Sequence, residues 1–248
     1  MSGHSKWHNI QKTKGAQDAK RAAAFTKIAK ELIVAVKEGG SADPAYNSRL
    51  ATVITKAKAA NMPNDNIMRS IKKAAGELSG VNYESLTYEG YGPGGSAIIV
   101  TTLTDNKNRT VGDVRHAFDK HGGQMGNTGC VSFTFDNKGV IVVERTVEMT
   151  EDKMMELAIE AGADDVVTEE DSFVIYTAPN DFSAVRTYLE NAGVTFIEAE
   201  VSMIPQNKIT LTDENVEIFL KLLDKLDELD DVQDVYHNVD LPEEEDED

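Results

Sequence analysis

The chain has 248 residues and a mass of 27.1 kDa, a length typical of one or two domains, with three small ones also possible. Apolar residues make up 40% and charged residues 27%, which excludes a disordered chain, and no apolar run approaches the roughly 20 residues of a membrane helix. The net charge of −18 is divided unevenly, because residues 1–80 hold 14 Lys and Arg against 6 Asp and Glu, whereas residues 81–248 hold 11 against 37.

The cysteine content and the amino terminus indicate the compartment. Cys130 is the only cysteine, which rules out an internal disulfide and a zinc site with two cysteines and fits a reducing compartment. The amino terminus has lysines but no apolar stretch behind them, and Ser2 stands where myristoylation would need glycine. We therefore expect a protein that stays in the cytoplasm.

The first fifteen residues lack apolar periodicity and predict a flexible arm. A basic segment with one large aromatic residue suits phosphate contacts combined with stacking on a base. Its candidate nucleic-acid-binding residues are His4, Lys6, Trp7, His8, Lys12 and Lys14. Two alternatives stay open: Trp7 could anchor the arm to the folded part, and His4 and His8 have helical spacing for a metal but lack a third ligand nearby.

The segment from Ala16 to about Glu38 has the apolar spacing of an amphipathic helix. The opposite side of this helix carries four lysines within an arc of roughly 100°. They are further candidates for phosphate contact: Lys20, Lys27, Lys30 and Lys37. The alternative for such a face is simple solvation.

Two more helices are predicted up to residue 78. The second starts with Asp43 as N-cap and Pro44 as its first residue, and it places Tyr46 in the buried stripe. Asn64 is predicted to cap the third helix. The outward residues of that helix are basic: Arg69, Lys72 and Lys73. Residues 16–78 therefore predict a three-helix module.

Glycine and aromatic residues cluster from Tyr88 to Gly95, which predicts a tight turn and not a phosphate-binding loop, because no lysine follows the glycines. Strand and helix patterns then follow in the order of two ferredoxin-like sandwiches, one inserted into the other. The outer sandwich includes predicted strands at 97–103, 130–136 and 209–211. The predicted fold class is α+β: an amino-terminal three-helix domain followed by two ferredoxin-like α/β sandwiches.

The predicted domains follow from this order. Residues 1–78 form the basic arm and helical domain, residues 79–137 and 204–241 form a discontinuous α/β domain, and residues 138–203 form the inserted α/β domain. Residues 242–248 form an acidic tail that we expect to be disordered.

The loop at 104–110 leads from a strand into a helix, whose first N–H groups attract anions. Arg109 and Arg115 are the remaining candidates for phosphate contact. The alternative is capping by Asp, Asn and Thr, with the arginines paired to neighbouring acids. The sequence holds no nucleophile–base motif, cofactor fingerprint or metal-ligand constellation, so we expect neither catalysis, a cofactor nor a metal.

Five blocks of the sequence are more distinctive than their predicted chemical roles require. They are Gly3-His4-Ser5-Lys6-Trp7, residues 61–67, Tyr88 to Gly95, Leu103 to Thr110, and Val114-Arg115 with Phe118 and His121-Gly122-Gly123. Together they resemble the YebC family, in order from residue 3 to about residue 240. The resemblance implies three domains, the third inserted into the second, and a bacterial cytosolic protein without an organelle presequence.

Members of that family are described as probable transcriptional regulators that bind DNA. A mitochondrial relative is a translational activator of a cytochrome oxidase subunit, and some members are described as ribosome-associated factors that relieve stalling at proline runs. The leading hypothesis is thus a non-enzymatic regulator that binds DNA through the arm and the lysine face.

Two other functions stay open. The division of charge also suits ribosomal or transfer RNA on the ribosome, where an acidic body can face basic proteins. A small-molecule-binding module near the turn at 92–95 is the third hypothesis. We expect a monomer with no membrane partner.

Overall fold

The computed structural model describes residues 17–76 and 82–241, with side chains in the first helix from Ala22 onward. These residues form two compact units. One unit comprises residues 17–76, 82–132 and 209–241, and the other comprises residues 133–208. No helix in the described ranges has the length and apolar character needed to cross a membrane.

The elements of the described ranges are labelled in chain order. They are α1 (Gln17–Gly39), α2 (Ser48–Ala59), α3 (Asn64–Ala75), β1 (Glu84–Tyr91), β2 (Ala97–Thr104), α4 (Lys107–Lys120), β3 (Gln124–Met125), β4 (Phe135–Glu144), α5 (Glu151–Ala161), β5 (Asp165–Thr168), β6 (Ser172–Thr177), α6 (Phe182–Asn191), β7 (Phe196–Pro205), α7 (Asp213–Asp227) and β8 (Val232–His237).

Helices α1, α2 and α3 pack on one another around a single apolar core, as the helical periodicity predicts. The spacing of three and four residues brings each apolar stripe inward, because such residues share one helix face. The buried members of this core include Ile28, Leu32, Val36, Leu50, Val53, Ile67 and Ile71.

Helix α2 begins at Ser48, so the predicted start at Asp43 and Pro44 is wrong. Its cap is Asn47, whose Oδ1 accepts the N–H of Leu50 at 3.0 Å. The Nδ2 of Asn47 also donates to the carbonyl of Ala35 at 2.8 Å, so one buried side chain joins the end of α1 to the start of α2. Tyr46 therefore precedes the helix and is exposed, not buried as predicted.

Helix α3 begins at Asn64 itself, so Asn64 is not its cap. The cap position is occupied by Pro63, which makes no side-chain hydrogen bond. The carbonyl of Pro63 accepts the N–H of Asn66 at 2.9 Å instead, and this backbone contact starts the helix.

The first sheet has the strand order β3-β1-β2-β8, and all its pairings are antiparallel. Strand β1 pairs with the whole of β2 and is not anticipated by the sequence analysis. The turn predicted from Tyr88 to Gly95 is confirmed only at Pro93–Gly95, which form a short 3-10 turn, whereas residues 88–91 belong to β1. Gly94 has a φ of 66°, a left-handed conformation that favours glycine.

The predicted strand at 130–136 is wrong, because its first residues form a loop anchored by Glu89 of β1. The buried Glu89 carboxylate accepts N–H groups from Gly129 at 2.8 Å, Val131 at 2.9 Å and Ser132 at 2.8 Å. Those N–H groups are then unavailable to a neighbouring strand, and β4 starts only at Phe135. The predicted strand at 209–211 is reduced to one bridge, between Ile209 and Val239.

The second sheet has the order β5-β6-β4-β7 with antiparallel pairings, which is the ferredoxin-like arrangement. Helices α5 and α6 pack on the sheet face that carries Ile141, Phe173 and Ile175. The α+β fold class with a helical segment and two sheets is confirmed. The first sheet differs from a ferredoxin-like sheet in one strand. The strand between β3 and β2 would follow β3 in the chain of a ferredoxin-like fold, but here it is β1, which precedes β2.

The predicted division into three domains stays a prediction. The helical segment and the first sheet share one compact unit, and residues 133–208 form the other.

Candidate nucleic-acid interface

The candidate residues of the arm, from His4 to Lys14, lie outside the described residues, as does the side chain of Lys20. Their assignment to nucleic acid stays a prediction. The structure describes the surroundings of five other candidates: Lys27, Lys30, Lys37, Arg109 and Arg115.

Lys27 of α1 is held by the end of helix α7. Its Nζ donates to Oδ1 of Asp227 at 2.6 Å and to the main-chain carbonyl of Asp227 at 2.8 Å. The Lys27 side chain is only 11% exposed, so burial and pairing together remove it from the open surface.

Lys30, one turn further along α1, contacts the loop that follows α7. Its Nζ donates to Oδ1 of Asp231 at 2.7 Å and to the carbonyl of Asp230 at 2.7 Å. The aromatic ring of Tyr83 lies 5.8 Å from the same ammonium group.

Asp231 is the centre of this contact and connects α1 to the first sheet. Its other carboxylate oxygen, Oδ2, accepts hydrogen bonds from Arg109 and Thr110 at 2.8 Å each. The hydroxyl of Thr104 donates to Oδ2 as well, at 3.2 Å. Four side-chain donors therefore contact the Asp231 carboxylate and favour its charged form.

The pKa of Asp231 reflects these contacts. Burial alone would raise the pKa, but hydrogen bonds from Lys30, Arg109 and Thr110 and the charge of Lys30 lower it from 3.8 to about 2. The pKa of Tyr83 is raised, first by burial and then by the negative charges of Asp105 and Asp231. Asp231 is therefore a buried anion with dedicated partners.

These contacts change the interpretation of the predicted lysine face. Lys27 and Lys30 point to carboxylates of the same chain, and Arg109 pairs with Asp105 and Asp231. The two lysines join α1 to the end of α7 and to the loop that follows it. The expectation of an open lysine stripe on α1 is therefore wrong at these two positions. Lys37 differs, because it is exposed and its Nζ lies 3.4 Å from Oδ1 of Asn82.

A groove of about 450 Å³ lies beside Asp231, but its lining does not suit a phosphate. Its cationic groups, Lys30 and Arg109, already pair with carboxylates, and further acids line it at Asp113 and Asp230. A phosphate there would meet excess negative charge.

The start of α4 follows the capping alternative. Oδ1 of Asn106 accepts the N–H of Arg109 at 3.2 Å, and the Thr104 hydroxyl accepts the N–H of Asn106 at 2.9 Å. These contacts satisfy helix-end donors that an anion would otherwise use. Arg115, further along α4, is exposed and makes no ion pair with any residue in the described ranges.

One open positive surface among the described residues of the helical segment lies on α3. Its members Arg69, Lys72 and Lys73 are exposed and form no ion pair with the described part of the chain. Their spacing of three and four residues places them on one side of α3, opposite the buried Ile67 and Ile71. We call these three residues the α3 basic face.

The residues of the α3 basic face are predicted from the sequence to point outward, but they are not among the predicted site residues. The signal was present, because the three cations recur at helical spacing opposite an apolar stripe. The α1 lysines show the same pattern, and only the positions of Asp227 and Asp231 distinguish the two helices.

Within the described ranges, no group of three or more His, Cys, Asp or Glu side chains is arranged to hold a metal ion. Cys130 is half-buried, and burial followed by the charge of Glu89 raises the pKa of its thiol. A thiol with a raised pKa is a weak nucleophile at neutral pH.

Comparison with known proteins covers almost the whole chain. Residues 5–77 match the family model described as the TACO1/YebC protein N-terminal domain, and residues 83–239 match that of the TACO1/YebC second and third domain. A protein of Clostridium tetani named "Probable transcriptional regulatory protein" is 58% identical over 244 residues, covering 98% of this chain and 99% of the relative. A protein of Clostridium beijerinckii with the same name is 57% identical over 247 residues, covering 100% of both.

A crystal structure of a conserved hypothetical protein from Aquifex aeolicus is similar in fold, with a TM-score of 0.83 and 45% sequence identity. The match covers 96% of this chain and 98% of that one. The chain belongs to the TACO1/YebC family.

Proposed function

We propose that this protein is a non-enzymatic regulatory protein that binds nucleic acid, with DNA as its polymer, through the amino-terminal arm and the α3 basic face. The proposal depends on one observation: Arg69, Lys72 and Lys73 form no ion pair within the described residues, whereas Lys27 and Lys30 of α1 do. Unpaired, exposed cations on one helix side are suited to successive phosphates of a polymer backbone.

The charge of the whole chain supports a local contact. Residues 1–80 carry an excess of positive charge in a protein whose net charge is −18. Charges separated by more than about 8 Å are strongly screened at physiological salt, so a basic segment retains attraction for phosphate despite acids elsewhere. The acidic remainder disfavours a protein that coats nucleic acid along its whole surface.

DNA is proposed as the polymer because the relatives from Clostridium tetani and Clostridium beijerinckii are named as probable transcriptional regulatory proteins. All three members of the α3 basic face are Arg or Lys, which suit phosphates, so the proposed contact is mainly to the backbone. Structured RNA of the ribosome is the second candidate, favoured by the same division of charge.

The proposal is tested by salt titration of binding to duplex DNA and to structured RNA. Replacing Arg69, Lys72 and Lys73 together by Glu should weaken binding and lower the log–log salt slope by about 2.1 to 2.7, since each phosphate contact contributes about 0.7 to 0.9. A matched variant with Lys120, Lys153 and Lys221 changed to Glu alters the net charge equally at exposed positions outside the α3 basic face.

If the matched variant loses as much affinity as the α3 variant, overall charge and not the α3 basic face governs binding, and the proposed site is wrong. Tighter binding of duplex DNA than of RNA at equal salt supports the DNA assignment. Preference for RNA replaces it with the ribosomal alternative.

A further inference from the structure

Helix α5, in the unit of residues 133–208, exposes apolar side chains on part of its surface. The exposed side of a helix on a small sandwich usually carries polar side chains instead. Ile159 is 69% exposed and Met155 is 36% exposed. They are four residues apart and therefore adjacent on one side of the helix. Met154 and Ala158, each one residue earlier, are buried against the second sheet.

Helix α6 extends this exposed strip. Tyr188 is 39% exposed, and its hydroxyl donates to Oε2 of Glu160 on α5 at 2.6 Å. This hydrogen bond raises the pKa of Tyr188 and holds the phenol ring beside α5. Tyr188 therefore lies beside Glu160, the residue that follows Ile159 on α5. We call the exposed residues Met155, Ile159 and Tyr188 the α5–α6 strip.

The strip is bordered by negative charge. Glu156 and Glu160 alternate with its apolar residues along α5, and Asp152 lies one turn before Glu156 on the same side. All three acids are exposed, and none forms an ion pair with Lys or Arg in the described part of the chain. The surrounding unit, residues 133–208, has 16 Asp and Glu against 5 Lys and Arg.

We infer that the α5–α6 strip is a docking surface for a cationic amphipathic helix of a partner protein, which would place apolar side chains on Met155, Ile159 and Tyr188 and basic ones on the flanking glutamates. Exposed apolar surface rimmed by unpaired charge is typical of a protein interaction site. An amphipathic helix fits such a strip through apolar positions spaced by three and four residues.

The same charges exclude other occupants. Phosphates of nucleic acid and anionic lipid headgroups would be repelled by Asp152, Glu156 and Glu160. A second copy of this chain using the same strip would bring its acids against these acids. The inference is independent of the proposed nucleic-acid binding, because it uses different residues in the other unit.

Binding of a designed Leu/Lys amphipathic helix of about 18 residues, followed by fluorescence anisotropy with the full-length protein, tests the inference. The control peptide has the same composition with its leucines distributed around the helix. Met155→Gln with Ile159→Gln should weaken binding about tenfold or more. Val147→Gln is the control, because it removes an apolar side chain that is 97% exposed in the same unit. It should change the affinity for the peptide less than about twofold.

A second pair of variants separates the charge contribution. Glu156→Gln with Glu160→Gln should weaken binding and reduce its salt dependence, whereas Glu144→Gln with Glu170→Gln removes two exposed charges elsewhere in the unit and should have a smaller effect. Equal binding of both peptides, or unchanged binding after the Met155 and Ile159 replacements, would overturn the inference. Nucleic-acid affinity of the Gln variants should match the parent protein.

Discussion

Lys30 and Asp231 form an ion pair with an Nζ–Oδ1 distance of 2.7 Å, although 201 positions separate them in the chain. Their side chains are 11% and 9% exposed. Removing one partner of such a buried pair lowers the free energy of unfolding, because the remaining charge would lie buried and unpaired. The pair explains why an α1 lysine that looks solvent-facing in sequence is unavailable to phosphate.

Replacing Asp231 by Ala should lower the free energy of unfolding by about 3 kcal/mol, because Lys30 and two threonine hydroxyls lose their shared acceptor. Urea unfolding of the full-length protein measures the change. The control is Glu217→Gln, which breaks the exposed pair with Lys221 on α7 and should leave the transition midpoint nearly unchanged. Similar losses for both variants would contradict the assigned role of Asp231.

Stability should fall in acid through the same carboxylate. The pKa of Asp231 in the folded protein is lowered from 3.8 to about 2, so its contribution is complete above about pH 4 and is lost as the pH falls toward 2. Urea unfolding at about pH 5 and about pH 3 should show a smaller decrease for Asp231→Asn than for the parent protein. An equal decrease would show that other carboxylates account for the acid sensitivity.

Lys27 and Lys30 should behave as packing residues in binding experiments. Lys27→Met with Lys30→Met should lower the thermal midpoint, because Asp227 and Asp231 lose their partners, but should leave the salt slope of nucleic-acid binding unchanged. The slope is measured at a temperature where the variant is folded. A slope reduced by about 1.5 would instead assign both lysines to phosphate contacts.

The amino-terminal arm should contribute separately from α3. Changing Lys6, Lys12 and Lys14 to Glu should lower the salt slope by about 0.7 to 0.9 for each contact that is lost. Because the sequence predicts that these lysines lie on a flexible arm, the thermal midpoint should stay close to that of the parent protein. Unchanged affinity for every DNA and RNA tested would remove the arm from the proposed interface.

Glu89 should control the order of the loop at 129–132. Burial acts to raise its pKa, but the N–H groups of Gly129, Val131 and Ser132 outweigh it and hold the pKa below the usual value. Glu89→Ala should therefore accelerate hydrogen exchange of the Val131 amide at least about tenfold. Glu84→Ala, an exposed change on the same strand, should have little effect there.

Local sequence patterns predict most of the helices and the second sheet. Thr150, for example, is followed by two acids and an apolar repeat, and its hydroxyl does accept the N–H of Lys153 at the start of α5. The start of α2 was missed, because Asp43-Pro44 resembles a helix start more closely than Asn47-Ser48 does. Asn47 is selected by its contact with Ala35, which no local pattern contains.

The candidate interface was less predictable for a similar reason. The lysines of α1 and the cations of α3 have the same helical spacing, and their difference arises from carboxylates about 200 positions away in the chain. Glu89 likewise takes backbone donors from a segment about 40 positions later, which converts a predicted strand into a loop. Local sequence patterns therefore lack the long-range pairing of charged groups, which decides where these predictions fail.

The most direct test of the nucleic-acid interface is photocrosslinking of the full-length protein to bound DNA and RNA, followed by mapping of the crosslinked peptides. We expect crosslinks at residues 1–15 and on α3, around Arg69, Lys72 and Lys73. Crosslinks confined to residues 133–208, with none in the arm or on α3, would contradict it.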